Sequence, residues 1–212
     1  MDASEQWNRT FSQLDEHSRE DPWLERWRGM LDTHRGSPIL DLGCGAGYET
    51  RTLTDLGYSV VAADFSEKAL QLTRRRAPEA KALNLDLTRP LSFPDEHFGA
   101  VVASLSLHYF PWHQTVRILE EVRRCLVPGG HLLARLNSKS DAHYAAQPKE
   151  EIEPNFYLVR GHPKRLFDHA DIETLFSPNW TLEHATEQTT TRYGSEKTLW
   201  EVVAKKHPEA NS

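Results

Sequence analysis

The feature that most constrains the fold of this chain is a short apolar segment followed by three alternating glycines. Residues 38–49 have the sequence PILDLGCGAGYE, and the apolar run up to Leu42 is typical of a strand buried on both faces. Gly43, Gly45 and Gly47 then occupy every second position. Glycine permits positive φ angles and lets a ligand approach the backbone without meeting a Cβ atom. Such a turn between a strand and a helix predicts a nucleotide-like ligand at the edge of a doubly wound α/β sheet.

Strand and helix patterns alternate after this turn. Alternation of this type predicts an α/β fold with a mostly parallel sheet and right-handed crossovers. The chain has 212 residues and no internal repeat, so a single domain over residues 1–212 is predicted. The predicted strands are residues 39–42, 58–63, 81–85, 98–104 and 131–136, followed by 180–191 and 197–205, which are joined around Tyr193-Gly194-Ser195.

Two aspartates stand at the ends of the strands that follow the turn. Asp64 lies about 20 residues after the first glycine, where a carboxylate can bind a ribose diol. Asp86 ends the next strand, where a second carboxylate can accept a hydrogen bond from an exocyclic amine. Because the carboxyl ends of parallel strands meet at one edge, the turn and both aspartates are expected to share a site. The G-x-G-x-G spacing and the acidic Asp41 beside it disfavour a pyrophosphate, and therefore NAD.

The segment DLGCGAG, from Asp41 to Gly47, resembles the signature turn of class I S-adenosylmethionine-dependent methyltransferases. The likeness extends over residues 35–136 and includes the segment ASLSLHY at the end of the fourth strand and the turn VPGG before the fifth. The tail from Arg135 to Glu201 also resembles small bacterial methyltransferases of unassigned substrate and, more loosely, the tellurite-resistance methyltransferases.

This resemblance implies a Rossmann-like, doubly wound sheet of seven strands whose last strand is antiparallel, with S-adenosylmethionine as the cofactor. It also implies that the glycine turn holds the methionine end, that Asp64 holds the ribose, and that Asp86 with Leu87 holds the adenine. The cofactor-binding residues that the resemblance implies are Asp41, Gly43, Cys44, Gly45, Gly47, Asp64, Phe65, Asp86, Leu87 and Ser104.

Residues 1–36 are predicted to form a helical N-terminal extension. Trp7, Phe11 and Leu14 fall on one helical face, and the pair Asp21-Pro22 is typical of the start of a second helix. The aromatic side chains either dock the extension onto the sheet or form a lid over the ligand, and the sequence leaves both interpretations open.

The predicted cofactor-binding core covers residues 37–136, and two segments follow it. Residues 137–162 are predicted to be a substrate-side loop, because loops longer than about 12–15 residues are usually functional or disordered. Residues 163–206 are predicted to form a C-terminal helix, capped by Asp168, and a β-hairpin.

Methyl transfer needs a general base only when the acceptor must lose a proton. Four candidates are expected on the acceptor side of the site. His108 and Tyr109 follow the fourth strand, and His143 and Tyr144 lie in the segment after the fifth. The sequence does not select one of them as the catalytic residue.

Several cations could hold an anionic acceptor, although a solvated surface position is the expected role of such side chains. The eleven histidines show no short metal-ligand spacing such as H-E-x-x-H, so no metal site is predicted. The cations considered are Arg160, Lys164, Arg165 and Arg192.

The composition disfavours several other classes of protein. The formal net charge is −6, and the one basic tract that stands out is Arg74-Arg75-Arg76, so nucleic acid is not the expected partner. Neither a signal peptide nor a membrane-spanning run is predicted. The two cysteines, Cys44 and Cys125, are expected to be reduced, which fits a cytoplasmic protein that is a monomer or homodimer.

The sequence therefore predicts a methyltransferase that transfers a methyl group from S-adenosylmethionine to a small-molecule acceptor by in-line displacement. One alternative is a non-catalytic sensor that binds S-adenosylmethionine or S-adenosylhomocysteine. A nicotinamide-dependent oxidoreductase is a second alternative, which the spacing of the glycine turn disfavours.

Overall fold

The computed structural model describes residues 3–12, 21–145, 147, 149–177, 179–192 and 196–207, without the side chains of residues 3–6 and 10. Leu14 and the Tyr193-Gly194-Ser195 connection lie outside the described residues. The strands are β1 (Ile39–Leu42), β2 (Val60–Asp64), β3 (Lys81–Asn84), β4 (Phe98–Ser104), β5 (Leu126–Asn137), β6 (Lys149–Glu153), β7 (Phe156–Val159), β8 (His162–Arg165), β9 (Trp180–Thr190) and β10 (Lys197–Lys206). The α-helices are α1 (Ala3–Ser12), α2 (Arg28–Leu31), α3 (Tyr48–Asp55), α4 (Glu67–Arg76), α5 (Trp112–Cys125), α6 (Ala142–Ala145) and α7 (His169–Leu175).

A seven-stranded sheet has the order β3-β2-β1-β4-β5-β10-β9. The strands from β3 to β5 are parallel, and β10 lies antiparallel to both β5 and β9. The predicted sheet of seven strands with an antiparallel last strand is therefore confirmed. Short 3-10 helices at Pro22–Trp27, Asp32–His34 and Leu107–Tyr109 complete the main domain.

Helices cover both faces of this sheet because its central strands are apolar on both faces. Leu40 and Leu42 of β1 belong to the core on the side of α5 and α7, while Ile39 points to the opposite core with Trp23 and Leu53 of α3. All residues of β1 and β2 are buried. The alternation of side chains along a strand thus distributes one apolar run between two cores.

Residues 137–162 are not the predicted loop. They contain the helix α6 and most of a separate antiparallel sheet with the order β6-β7-β8. Two-residue connections join its strands: Pro154-Asn155, with Asn155 at φ 60°, and Arg160-Gly161, with φ values of 50° and 79°. Two consecutive positive φ values are typical of a tight hairpin turn. The length and polar composition of this segment gave no indication of such a turn.

Side-chain caps mark the starts of α4 and α7, and the cap at Asp168 is the predicted one. The Ser66 hydroxyl accepts a hydrogen bond from the Ala69 amide at the start of α4. Asp168 caps α7 through a reciprocal capping box with Asp171. Among the helices that the structure describes, none has the length and apolar character needed to cross a membrane.

The segment before β1 is fixed to the sheet by buried charges. The carboxylate of Glu201 on β10 is fully buried and accepts hydrogen bonds from Arg26 (2.8 and 2.9 Å), from the Trp27 indole (3.1 Å) and from Arg135 (3.4 Å). Arg135 also pairs with Asp21. Glu201 thus has three donors, and one of them, Arg135, is shared with Asp21. Such a connected network is the arrangement that offsets desolvation.

We expect Glu201→Gln to lower the free energy of unfolding by about 3 kcal/mol, because it leaves Arg135 buried with one acidic partner fewer. Urea unfolding of the wild type and the variant measures this change. Glu120→Gln, at an exposed position of α5, is the matched control and should stay within about 0.5 kcal/mol of the wild type. Equal effects of the two substitutions would contradict a stabilising role for the network.

Candidate functional site

A cavity of about 830 Å³ opens at the carboxyl ends of β1 to β4. Nine of the ten residues predicted to bind the cofactor line it, as do the four predicted catalytic candidates. Parallel pairing explains this convergence: Leu42 of β1 is in register with Ala63 of β2, and Asp64 is in register with Asn84 of β3. The sheet therefore ends its first three strands at one edge.

The glycine turn closes the bottom of the cavity. Gly43 has φ 76° and Gly45 has φ 53°, and the amides of Gly43 and Cys44 donate to the Ala63 carbonyl. A Cβ atom on Gly43 would lie 2.4 Å from the Ser106 Cβ atom. Gly47 is the tenth predicted residue and does not line the cavity; a Cβ atom there would meet Thr73 of α4 at 2.8–3.0 Å.

Asp41 supplies a buried carboxylate beneath the turn. Its Oδ2 atom accepts a 2.5 Å hydrogen bond from the Thr50 hydroxyl. Burial, reinforced by the negative charge of Glu49, raises the pKa of Asp41 to about 7. Burial opposes ionisation of Glu49 as well, but the charge and hydrogen bonds of Arg192 (2.6 and 3.1 Å) outweigh it and lower the Glu49 pKa. Of these two acids, Glu49 alone pairs with a cation among the residues that the structure describes.

The two strand-end aspartates lie along one wall. Asp64 accepts hydrogen bonds from the backbone amides of Gly45 (3.0 Å) and Ser66 (2.9 Å), one on each oxygen, so each oxygen keeps a further acceptor site. Burial raises the pKa of Asp64 despite these amides. Asp86 is half-exposed and accepts from the Thr88 amide and hydroxyl. Both carboxylates line the cavity.

Helix α1 covers the cavity, whereas the segment around Trp23 packs on the sheet. The Trp7 ring lies edge-on to Tyr109 at 4.9 Å, and a Cβ atom on Gly45 would lie 3.4 Å from the Phe11 ring. The Asn8 side chain fixes the helix by accepting hydrogen bonds from the Ser66 hydroxyl and the Lys68 amide. Trp7 and Phe11 thus lie where a lid over the cavity would lie, whereas Trp23 docks the extension onto the sheet.

The four catalytic candidates differ in their surroundings. His108 is buried, and neither of its ring nitrogens has a hydrogen-bond partner among the described residues. Burial, followed by the positive charges of Lys164 and Lys197, holds the pKa of His108 well below its usual range. Tyr144 is buried, whereas His143 is exposed.

The cations weighed from the sequence are not all solvated. Arg165 is buried against Glu153 and the Phe156 ring, and Arg192 is paired with Glu49, so neither is a free surface charge. Lys164 lines the cavity, and Arg160 alone among the four is exposed. The interpretation as surface cations is therefore wrong for Lys164, Arg165 and Arg192, because β8 and the β9–β10 hairpin turn them inward.

Some site residues had no signal in the sequence. Lys197 lines the cavity from the start of β10. Asn137 and Asp141 also line it, as does Ser106 of the ASLSLHY segment, and all three carry buried side-chain atoms without hydrogen-bond partners in the described part of the chain. Leu105 of the same segment has φ 56°, a strained value for a leucine, and directs the chain from β4 into the 3-10 helix. Only tertiary contacts make Lys197, Asn137 and Asp141 distinguishable from ordinary polar residues.

Comparisons with known proteins agree with this geometry. Residues 39–130 match the family described as "Methyltransferase domain". A demethylmenaquinone methyltransferase of Paenarthrobacter aurescens (strain TC1) is 35% identical over 112 residues, which are 51% of this chain and 43% of that protein. The chain thus spans less than half the length of this curated relative.

Solved structures share the fold. The structure of a SAM-dependent methyltransferase from Methanosarcina mazei aligns with a TM-score of 0.77 at 21% identity and covers 90% of this chain and 99% of that chain. The 1,6-didemethyltoxoflavin-N1-methyltransferase of Burkholderia thailandensis, solved with its namesake compound and S-adenosylhomocysteine, aligns with a TM-score of 0.65 at 18% identity over 98% of this chain and 92% of that chain. At these identities the likeness establishes the fold.

Gly43→Ala should lower the free energy of unfolding by about 2 kcal/mol or more, because alanine is disfavoured at positive φ and its Cβ atom would overlap Ser106. Urea unfolding measures the loss, and Ser106→Gly in the same chain should restore part of it. Gly29→Ala is the control, since Gly29 is helical and has no neighbour within 4 Å of an added Cβ atom; it should be neutral or slightly stabilising. A Gly43→Ala protein as stable as the control would refute the close contact.

Proposed function

We propose that this chain, whose residues 39–130 match a family of methyltransferase domains, transfers a methyl group from S-adenosylmethionine to a small-molecule acceptor. The observation that carries the proposal is the convergence of the glycine turn, Asp64 and Asp86 on one cavity, whose lining also includes polar side-chain atoms without hydrogen-bond partners among the described residues. The similar proteins named above supply a family precedent: their names refer to demethylmenaquinone and 1,6-didemethyltoxoflavin.

The cofactor would lie along the strand ends. Asp41 and the Gly43–Gly45 turn would face its methionine end, where an ammonium group would balance the buried Asp41 charge. Asp64 would bind the ribose hydroxyls with the acceptor sites that its two backbone contacts leave free. Asp86 and Leu87 would hold the adenine. Phe65 and Ser104 line the same cavity, and Cys44 lies within the turn.

The sulfonium of the cofactor supplies an already activated methyl group, so the chain mainly has to align the acceptor and exclude water. The Trp7 and Phe11 rings lie over the cavity, where they would exclude water, and Asn8 anchors their helix. Alignment of two reactants in one cavity can contribute several kcal/mol to the rate enhancement, about 7–11 kcal/mol in the best cases.

His108 is the best-placed base for an acceptor that must lose a proton. Its low pKa keeps the imidazole neutral near pH 7, and within the described part of the chain neither ring nitrogen has a hydrogen-bond partner. Carboxylate and phenolate acceptors would need no base, and for them His108 would serve as a hydrogen-bonding group. Tyr109, His143 and Tyr144 line the same end of the cavity and remain candidates for orienting the acceptor.

Calorimetry with S-adenosylmethionine, S-adenosylhomocysteine and NAD tests the proposal against its alternatives. We expect the two sulfur nucleosides to bind and NAD not to bind. Binding of NAD alone would support an oxidoreductase and overturn the proposal. A screen for methyl transfer to phenols, carboxylates, amines and thiols then separates an enzyme from a sensor, since a sensor binds the cofactor without turnover of any acceptor.

Asp64→Ala should weaken binding of S-adenosylhomocysteine at least tenfold, because hydrogen bonds to a charged group contribute about 1.5–3 kcal/mol. Calorimetry measures the change. Asp64→Asn keeps an oxygen for the Gly45 amide and separates ribose binding from support of the turn. Asp55→Ala, in an exposed ion pair of α3, is the control and should bind normally. An unchanged affinity in a folded Asp64→Ala protein would refute the ribose assignment.

Affinity for S-adenosylmethionine should fall as the pH drops below about 7. The pKa of Asp41 in the free protein is about 7, and a bound ammonium favours the ionised carboxylate. Binding at lower pH must therefore release a proton, which costs up to about tenfold in affinity per pH unit. Calorimetry between about pH 8 and pH 6 measures the slope. Asp41→Asn should abolish this dependence, and an identical slope in that variant would exclude Asp41 as its source.

A further inference from the structure

Two lysines from distant parts of the chain meet at the end of the cavity away from the glycine turn. Lys164 lies on β8 of the small sheet, and Lys197 begins β10 of the main sheet. Their ammonium nitrogens lie 3.3 and 3.2 Å from the same atom, the phenol oxygen of Tyr144. All three side chains line the cavity. One phenol oxygen therefore has two ammonium groups beside it.

Acidic side chains do not balance this pair. Lys197 has Asp141 at 3.7 Å, and its own side chain is only 11% exposed. For Lys164, no carboxylate among the described residues lies within 4 Å of the ammonium nitrogen. Burial lowers the pKa of Lys164, and it lowers that of Lys197 to about 8. A partly desolvated positive charge without a counter-ion is costly, and a bound anion would remove that cost.

The walls next to the lysines are aromatic. The Lys164 ammonium lies 5.4 Å from the ring centroids of both Tyr109 and Tyr144, and the Lys197 ammonium lies 4.5 Å from that of Tyr144. Phe110 and Trp7 also line the cavity. Aromatic walls with a positive end fit a flat apolar ligand that carries a negative group at one end.

We propose that Lys164 and Lys197 form the anion subsite of the acceptor, and that the acceptor is a small aromatic molecule with an anionic oxygen, a carboxylate or a phenolate. This inference rests on the proposed function, because it assigns the acceptor side of the same cavity. The subsite adjoins His108, whose pKa both lysines depress. Because this imidazole is neutral, it does not offset the positive charge of the two lysines, and a bound anion would.

Calorimetry on protein saturated with S-adenosylhomocysteine tests the subsite without requiring the true acceptor. The carboxylate arm compares 2-naphthoate with 2-naphthamide, and the phenolate arm compares 4-nitrophenolate with 4-nitroanisole. We expect at least one anion to bind at least tenfold more tightly than its neutral counterpart. Lys164→Met and Lys197→Met should each reduce that preference at least tenfold, while Lys81→Met, at an exposed position of β3, should leave it unchanged.

The outcomes separate this inference from the proposed function. If S-adenosylhomocysteine fails to bind the wild type, the proposed function fails and the subsite fails with it. If it binds but neither anion is preferred, or if the lysine variants keep the preference, the subsite alone is overturned. If the lysine variants weaken S-adenosylhomocysteine itself, the lysines bind the carboxylate of the cofactor and the acceptor assignment is overturned. Melting temperatures identify any variant that fails to fold, and the second lysine variant then decides.

The pH dependence provides a readout that a purely structural role would not change. Affinity for 2-naphthoate should fall above pH about 8 as Lys197 loses its proton. Lys197→Arg should move this decline to higher pH, because arginine stays protonated. The other titratable groups that line this side of the cavity are His108, Tyr109, Asp141, His143, Tyr144, His162, Lys164 and Glu196. A decline at the same pH in Lys197→Arg would overturn the assignment of Lys197.

Discussion

The site depends on the parallel pairing of β1 with β2 and β4. These strands are buried on both faces, so apolar side chains on both sides of the sheet fix their register. The register brings the glycine turn, Asp64 and the end of β4 to the same edge. A register shift of one residue would move Leu40 and Leu42 to the face of the sheet that Asp41 now occupies, and Asp41 to theirs. The same apolar packing that stabilises the fold therefore also positions the polar groups of the site.

The cavity carries charges of opposite sign on different elements. At the turn end, no cation among the described residues pairs with Asp41, and Arg192 is already engaged by Glu49. At the opposite end, Asp141 is the one carboxylate of the described residues that lies within 4 Å of the Lys164 or Lys197 ammonium group. A cationic donor and an anionic acceptor would each meet the complementary charge. Since water is partly excluded by α1, these charges act at a lower effective dielectric than they would at the surface.

Local signals predicted those parts of the structure that depend on local chemistry. The strand before Gly43, the cap at Asp168, and the hairpin of β9 and β10 have the expected positions. The small sheet of β6, β7 and β8 was missed, because β6 and β8 are short and mostly polar and the four apolar residues of β7 are too few to define a period. The two tight turns could have indicated this small sheet, but the sequence does not identify Arg160 as a residue with a positive φ angle.

The sequence by itself determined the succession of the seven main-sheet strands along the chain, the glycine turn and the two strand-end aspartates, because each follows from residue types within a few positions. Tertiary structure alone decided the charge state and the neighbours of the side chains. Lys164 and Lys197 meet at the Tyr144 oxygen only when two different sheets pack together, and Asp41 acquires its raised pKa only when the core excludes water from it. Burial and pairing depend on contacts between distant segments, and no local pattern encodes those contacts.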